Sequence, residues 1–388
     1  MYYKLKSKQL ASHWVHLVKG PSTVSLQGIG QVLGKDVSNS KVSVGVGKIL
    51  PFEIGSGCKI NISGGESWLD HSSTAGTSIW QEIIQKILCK KASKTILIVG
   101  DTDTGKSTLA VYIINEALKN GFTRCCVIDA DIGQGDIAPP NAIGAAVITK
   151  QITDLRDING QFFEFVGSIN PIGFEGFIIK AIKNILRKVR SFCDICIINT
   201  DGYIQNNGIN YKIKMANALR PDFVVCLGEV SVFNRFRAKF VSSPVMYGKS
   251  TINTIKSKID RNKRRLNQFL RYTLEEKDGR RSDVTFKDLK EVKFVYKGKT
   301  YSKIWTTRYG SLHLANSRNS IQIKHGKLAN MFVALGSNSR SILGFGIILN
   351  VSRSTVYIKS DVRNYNTIYL SNSGISEDNA LEFRIFNN

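Results

Sequence analysis

The stretch Gly100-Asp-Thr-Asp-Thr-Gly-Lys-Ser-Thr108 constrains this chain more than any other. It fits G-x-x-x-x-G-K-[ST], and its flanks suit the pattern. Thr95-Ile-Leu-Ile-Val99 is apolar and β-branched, as a buried strand should be. Leu109, Ala110, Ile113, Ile114, Ala117 and Leu118 then recur at helical spacing, and Gly121 stands where a helix would stop. A strand, a glycine turn and a helix place backbone N–H groups and a positive helix end against phosphate. The loop from Gly100 through Asp101, Thr102, Asp103 and Thr104 to Gly105, Lys106, Ser107 and Thr108 is therefore the candidate nucleotide-binding element. Lys106 has the reach for the β/γ oxygens, and the Ser107 hydroxyl suits a Mg²⁺ ion. ATP or GTP is the expected ligand.

The 388 residues allow two or three domains at roughly 100–200 residues each. Hydrophobic content of 42% and charged content of 22% are ordinary for a globular chain, whereas a formal net charge of +24 is not. Such a charge attracts polyanions. It is also uneven: Arg235 to Arg308 holds 21 Lys/Arg against 7 Asp/Glu, downstream of the nucleotide element, where a second substrate could be held. Seven cysteines show no framework spacing, and Cys193-Asp-Ile-Cys196 opens an apolar run with no second pair and no histidine nearby. Buried strand cysteines are the expectation there, in preference to a metal or redox site. The start of the chain lacks the apolar core of a signal peptide and no 18-residue apolar stretch occurs, so a soluble intracellular protein is expected.

Residues 1–75 carry short alternating runs such as Lys41-Val-Ser-Val-Gly-Val and Lys59-Ile-Asn-Ile-Ser, separated by Gly-rich turns, which predicts a small N-terminal β-sandwich or barrel. His13, Trp14 and His16 lie near its start; with no further ligand cluster they read as strand or surface residues. A linking helix is expected from Ser78 to Lys90. Strands at Cys125–Asp129, Phe162–Val166, Asp194–Thr200 and Asp222–Leu227 then alternate with helices at Gly176–Val189 and Tyr211–Leu219. That alternation predicts an α/β domain with a parallel sheet, over 76–284, whose ligand faces the carboxyl ends of the strands. A basic, helix-prone segment runs from Ser250 to Glu276, and residues 285–388 predict a C-terminal β-rich domain.

Two further groups of residues carry chemistry. Asp129-Ala-Asp131-Ile-Gly133-Gln134 ends the strand after the glycine-loop helix, 23 residues beyond Lys106. Carboxylates at i, i+2 on a strand tip can serve one metal and one proton. The next strand ends in Asn199-Thr200-Asp201-Gly202-Tyr203. Taken by themselves, these residues read as an Asx-type turn.

The order of these three motifs resembles the polynucleotide 5′-hydroxyl kinase family, which includes the kinase subunit of the pre-mRNA cleavage machinery, the pre-rRNA processing kinases and their archaeal relatives. Pro51-Phe52-Glu53 and Ser78-Ile-Trp80 resemble family segments too, so the likeness covers most of 1–275. It implies a general base at Asp131, a Mg²⁺-supporting carboxylate at Asp129 and nucleotide contact at Gln134. It also implies a clasp at Thr200 and Gly202 that grips the γ-phosphate and fixes the glycine loop. Tyr203 stands where the family often has Trp. A lid over the transferred phosphate would lie in Asp260–Tyr272, with Arg261, Arg264 and Arg265 as candidates at a tighter spacing than the family pattern. The implied activity is transfer of the ATP γ-phosphate to the 5′-hydroxyl of single-stranded or duplex-end RNA, with DNA as an alternative acceptor, in RNA processing or repair. Protein partners of RNA processing would dock on the terminal domains. The implied location is an archaeal cytoplasm, or the nucleus of a eukaryote. A non-catalytic, ATP-bound scaffold is the competing reading. A partitioning or metal-insertion switch fits less well, because Asp101 stands where those carry a lysine. ATP is preferred to GTP because no N-K-x-D motif is present.

Overall fold

The computed structural model describes residues 15–70, 77–90, 92–249, 258–274, 281–285, 288–296, 299–306, 310–337, 341–352, 355–376 and 381–384. His13 and Trp14 lie outside them, as do residues 250–257 and 275–276 of the basic segment. The chain divides into two compact units built from discontinuous segments: one from 1–128, 146–159 and 186–257, the other from 129–145, 160–185 and 258–388.

The first unit begins with eight strands: β1 (Val15–Lys19), β2 (Ser22–Gln27), β3 (Gly30–Val32), β4 (Lys35–Asp36), β5 (Lys41–Val44), β6 (Ile49–Ile54), β7 (Lys59–Ser63) and β8 (Glu66–Asp70). They form two antiparallel sheets, ordered β4-β3-β6-β1-β8 and β5-β2-β7. Burial alternates along β2 and β5, the period-2 pattern read from the sequence. His16 lies in β1 opposite Phe52 and Leu69, and burial lowers its pKa, as befits a strand residue.

The linking helix is shorter than expected. A 3₁₀ turn, Ser78–Trp80, leads into α1 (Gln81–Leu88). Trp80 is fully buried and donates its indole N–H to the Lys249 carbonyl at 3.0 Å. The elements that follow are β9 (Lys94–Gly100), α2 (Lys106–Lys119), β10 (Cys125–Ala130), β11 (Ala142–Ile148), β12 (Phe162–Phe165), α3 (Glu175–Val189), β13 (Ile195–Thr200), α4 (Gly208–Leu219), β14 (Phe223–Leu227), α5 (Val230–Lys239) and β15 (Val245–Gly248). In the first unit the strands run β10-β13-β9-β14-β15, and the β13–β9, β9–β14 and β14–β15 pairs are parallel. Every residue of β9, β10 and β13 is buried, the mark of a sheet covered on both faces. Asn115 of α2 reaches the N-terminal strands, donating to the Leu33 carbonyl at 2.7 Å and to the Ile152 carbonyl at 2.8 Å.

The second unit holds α6 (Lys258–Leu274), β16 (Arg281–Thr285), β17 (Glu291–Tyr296), β18 (Lys299–Tyr301), β19 (Lys303–Thr306), β20 (Ser311–Ala315), β21 (Ser320–Lys324), β22 (Met331–Ser337), β23 (Ser341–Ser352), β24 (Thr355–Lys359), β25 (Thr367–Ser376) and β26 (Leu381–Arg384). Its main sheet is ordered β16-β24-β23-β22-β25-β17-β18, with β26 on β25, and β19-β20-β21 form a second sheet. Val292, Phe294, Leu312, Leu314, Val333 and Ile358 belong to one core cluster. A second cluster joins Phe269 of α6 to Phe332 and Phe345, with 4.7 Å between the Phe269 and Phe332 rings. The chain thus carries a central α/β sheet with β-rich regions before and after it.

Four further features differ from the reading of the sequence. β12 pairs antiparallel with β11, Ala142 opposite Phe165 through Ala145 opposite Phe162, so the central sheet is mixed. β11 was not anticipated, because Ala-Ile-Gly-Ala-Ala-Val-Ile alternates in neither period. α5 buries only Val232 and Phe236, too few to mark a helical face. β15 follows it as a four-residue edge strand. Among the described residues no helix is long and apolar enough to cross a membrane.

Candidate active site

In the first unit the glycine loop lies between β9 and α2. Gly105 takes φ +91°, and Asp103 takes φ +60°, a left-handed conformation that aspartate tolerates better than most residues. Gly100 is required for space: a Cβ there would come within 2.6 Å of the Leu227 carbonyl oxygen of β14. The loop is laced internally. The Asp101 carbonyl accepts from Lys106 Nζ at 2.6 Å and from the Thr104 hydroxyl at 2.9 Å, while Asp101 Oδ1 accepts the Thr102 N–H at 2.6 Å. Lys106, in the first turn of α2, is thus aimed back over the loop.

The tip of β13 supports the loop from beside it. Asn199 Nδ2 donates to Ser107 Oγ at 3.2 Å, orienting the hydroxyl expected to meet a metal. Thr200 is fully buried, and its hydroxyl donates to the Ile98 carbonyl of β9 at 2.8 Å. In this arrangement it grips the strand behind the loop. Gly202 presses on the loop itself, since a Cβ there would stand 2.6 Å from the Thr102 nitrogen. The turn is held by a pair that the sequence did not announce: buried Lys212 of α4 meets Asp201 Oδ1 at 2.8 Å, and Asp201 Oδ1 also accepts the Tyr203 N–H. Lys212 looked like one more basic residue; only its position on the buried face of α4 distinguishes it.

In the second unit Asp129 is buried. Its Oδ2 accepts the N–H groups of Asp136 at 2.5 Å and Ile137 at 3.3 Å, closing the acidic loop. Asp131 Oδ1 accepts the N–H groups of Gly133 and Gln134 at 3.1 and 2.8 Å, an Asx turn that fixes the carboxylate. α6 then takes hold of this loop at helical spacing. The Arg261 carbonyl accepts from Gln134 Nε2 at 3.2 Å, Arg264 Nη2 meets Asp136 Oδ1 at 2.6 Å, and Gln268 Nε2 donates to the Gly135 and Asp136 carbonyls. Tyr272 donates to the Ile137 carbonyl. Burial opposes the Arg264 charge, but Asp136, then Asp131 and Asp129, outweigh it and raise its pKa. Arg265 donates to Asn262 Oδ1 on the same helix. Asp136 was missed by sequence reasoning, and an Asp two residues past D-x-D-x-G-Q is the signal that could have found it.

The structure therefore brings the candidate residues together in two sets. Lys106, Ser107, Asn199, Thr200 and Gly202 form one around the glycine loop; Asp129, Asp131, Gln134, Arg261 and Arg264 form the other around the acidic loop. Strand, glycine loop and helix on a largely parallel sheet, with a lysine and a hydroxyl in the first turn, define a P-loop nucleotide-binding protein.

Comparison with known proteins narrows that class. Residues 100–273 match the family described as mRNA cleavage and polyadenylation factor CLP1 P-loop. The polyribonucleotide 5′-hydroxyl-kinase of Pyrococcus horikoshii is 35% identical over 143 residues, 37% of this chain and 39% of that protein. Its counterpart in Pyrococcus furiosus is 33% identical over 180 residues, 46% of this chain and 48% of that one. The human polyribonucleotide 5′-hydroxyl-kinase Clp1 is 24% identical over 235 residues, 55% and 54% of the two chains. The matches thus span roughly half or less of these relatives' lengths. A solved Clp1p–Pcf11p complex superposes with a TM-score of 0.66 at 13% identity, over 92% of this chain and 97% of that one, which shows a shared fold. Over these segments the chain is similar to proteins named polyribonucleotide 5′-hydroxyl-kinases, and residues 100–273 match the CLP1 P-loop model.

Proposed function

We propose that this protein transfers the γ-phosphoryl group of ATP to the 5′-hydroxyl of RNA, with DNA ends as a secondary acceptor. The observation that carries this reading is the glycine loop supported from the tip of β13, where Asn199 orients Ser107 and Gly202 closes on Thr102. A nucleotide-binding loop so supported, in a chain whose relatives bear the kinase name, favours catalysis over a purely structural ATP.

Lys106 and the loop N–H groups bind the β- and γ-phosphates, where their charge offsets that of the migrating group. Entry of a triphosphate exchanges the Lys106 bond to the Asp101 carbonyl for one to a phosphate oxygen. Thr200 and Gly202 keep the loop in place from behind. Asp131, its carboxylate fixed by two N–H groups, accepts the proton of the 5′-hydroxyl as the new P–O bond forms and the bond from the γ-phosphorus to the bridging oxygen breaks, releasing ADP. Arg264 keeps the acidic loop in shape through Asp136, and Arg261, Arg264 and Arg265 are the candidates for the lid over the transferred phosphate. The Ser107 hydroxyl and the Asp129 carboxylate are hard oxygen donors of the kind Mg²⁺ takes, and the ion would neutralise phosphate charge when bound. The basic segment around α6 tracks the RNA backbone, a mode of binding that positions a strand without reading its sequence. Protein partners of RNA processing would meet the terminal β-rich regions.

The test is phosphate transfer from γ-labelled ATP with Mg²⁺ to 5′-hydroxyl RNA and DNA oligonucleotides, with Lys106→Ala and Asp131→Asn proteins alongside. Label on the RNA end that disappears in both variants is the expected result. Tight ATP binding with no label on any oligonucleotide would sink the kinase and leave a scaffold.

A further inference from the structure

At the other end of the central sheet from the glycine loop, three cysteines converge. β10 and β13 start side by side: the Asp194 N–H donates to the Arg124 carbonyl at 2.8 Å, and the Asp194 carboxylate accepts from the N–H groups of Thr123 and Arg124. Cys126 and Cys196 each lie two residues further into these neighbouring strands, which sets them level. Cys193, in the turn that ends α3, completes the group. The three sulfur atoms lie within 4.8 Å of one another, all three residues are buried, and none is in a disulfide. Cys193-x-x-Cys196 taken alone suggested plain core cysteines; the sequence could not reveal that Cys126, 67 residues upstream, would face it.

We propose that Cys126, Cys193 and Cys196 form a binding site for one thiophilic metal ion of low coordination number, of the class of copper(I). The donor set is soft and purely sulfur, which selects copper(I) over hard cations. Among the described residues no histidine or carboxylate joins the sulfurs, and Asp194 is occupied by backbone amides. Three donors in a closed site suit a three-coordinate ion better than zinc, whose structural sites take four. Binding releases thiol protons and joins the start of β10 to the turn between α3 and β13. The ion is therefore structural, and the site does not depend on the kinase reading.

The experiment is anaerobic titration of the full chain with copper(I) against a copper(I) chelator, with thermal unfolding in parallel. The expected result is one ion retained per chain, a raised Tm, and the same behaviour in Cys226→Ser, whose thiol lies elsewhere in the sheet. Cys193→Ser should weaken retention by about 100-fold or more, beyond the loss typical of an outer-shell change. Cys126→Val, which keeps the core apolar, serves as the second variant, and each is compared with its own metal-free Tm to separate folding from binding. Failure of the wild type to retain copper(I), or full retention by Cys193→Ser and Cys126→Val, would overturn the site.

Discussion

The glycine loop and the acidic loop are both strand-tip turns, yet they are built by opposite means. The glycine loop is a backbone object. Gly100 and Gly202 are there because no side chain fits, and its internal bonds join residues at most five apart. The acidic loop is held by side chains from far away: Arg264 reaches Asp136 across 128 positions and Gln268 reaches Gly135 across 133. A loop of the first kind fails when a methyl group is added to it or to the glycine that packs on it. A loop of the second kind fails when one distant partner is removed, because the other is left as a buried, unanswered charge.

The sharpest way to break this contrast is at the long-range pair. Asp136 is 1% exposed and Arg264 17%, so Arg264→Met should cost about 3–5 kcal/mol of stability, read from urea unfolding. Replacing both, Asp136→Leu with Arg264→Met, should recover much of that loss. If the single change costs no more than the double, the acidic loop does not depend on its charge pair. Lys212→Met probes whether the glycine loop has a hidden dependence of the same kind through Asp201. Its unfolding cost should approach the first, with weakened ATP binding as the separate sign that the β13 turn has shifted.

Gly202→Ala should act differently. The added carbon meets Thr102 backbone, so about 1–3 kcal/mol of overpacking falls on the loop. ATP affinity measured by calorimetry should drop by about tenfold or more, while RNA binding in the absence of ATP stays unchanged. The smallest effect is expected at Asp194. Burial raises its pKa, but the Thr123 and Arg124 N–H groups and the Thr123 hydroxyl outweigh it, and the net shift is downward. A carboxyl lowered in the folded state adds stability above its unfolded pKa and loses it as pH falls through the folded value. Asp194→Asn should therefore lower the urea midpoint at neutral pH and leave it nearly unchanged in strong acid. Equal losses at both pH values would mean that charge has no part in holding β10 beside β13.

Much of the fold was legible because its signals are local. The apolar runs of β9 and β13, the helical period after Lys106 and the alternation in β2 and β5 each lie within one element. The elements that escaped lack such signals: β11 is rich in Ala and Gly, and α5 shows two buried positions in ten residues. The same rule governed the site. D-x-D-x-G-Q could be found as a string, but Asp136 and Gln268 could not be assigned to it without α6 beside the loop.

The sequence by itself determined the phosphate loop, since glycines at fixed spacing between a β-branched strand and an amphipathic helix leave the backbone few other conformations. It also determined the basic character that draws a polyanion, because charge is a property of composition. Tertiary structure alone decided which charges remain available. Lys212 and Arg264 were two among 54 basic residues until folding buried them against Asp201 and Asp136, and three scattered cysteines became one cluster. Pairings of that kind join residues distant in the chain, and no local propensity encodes them.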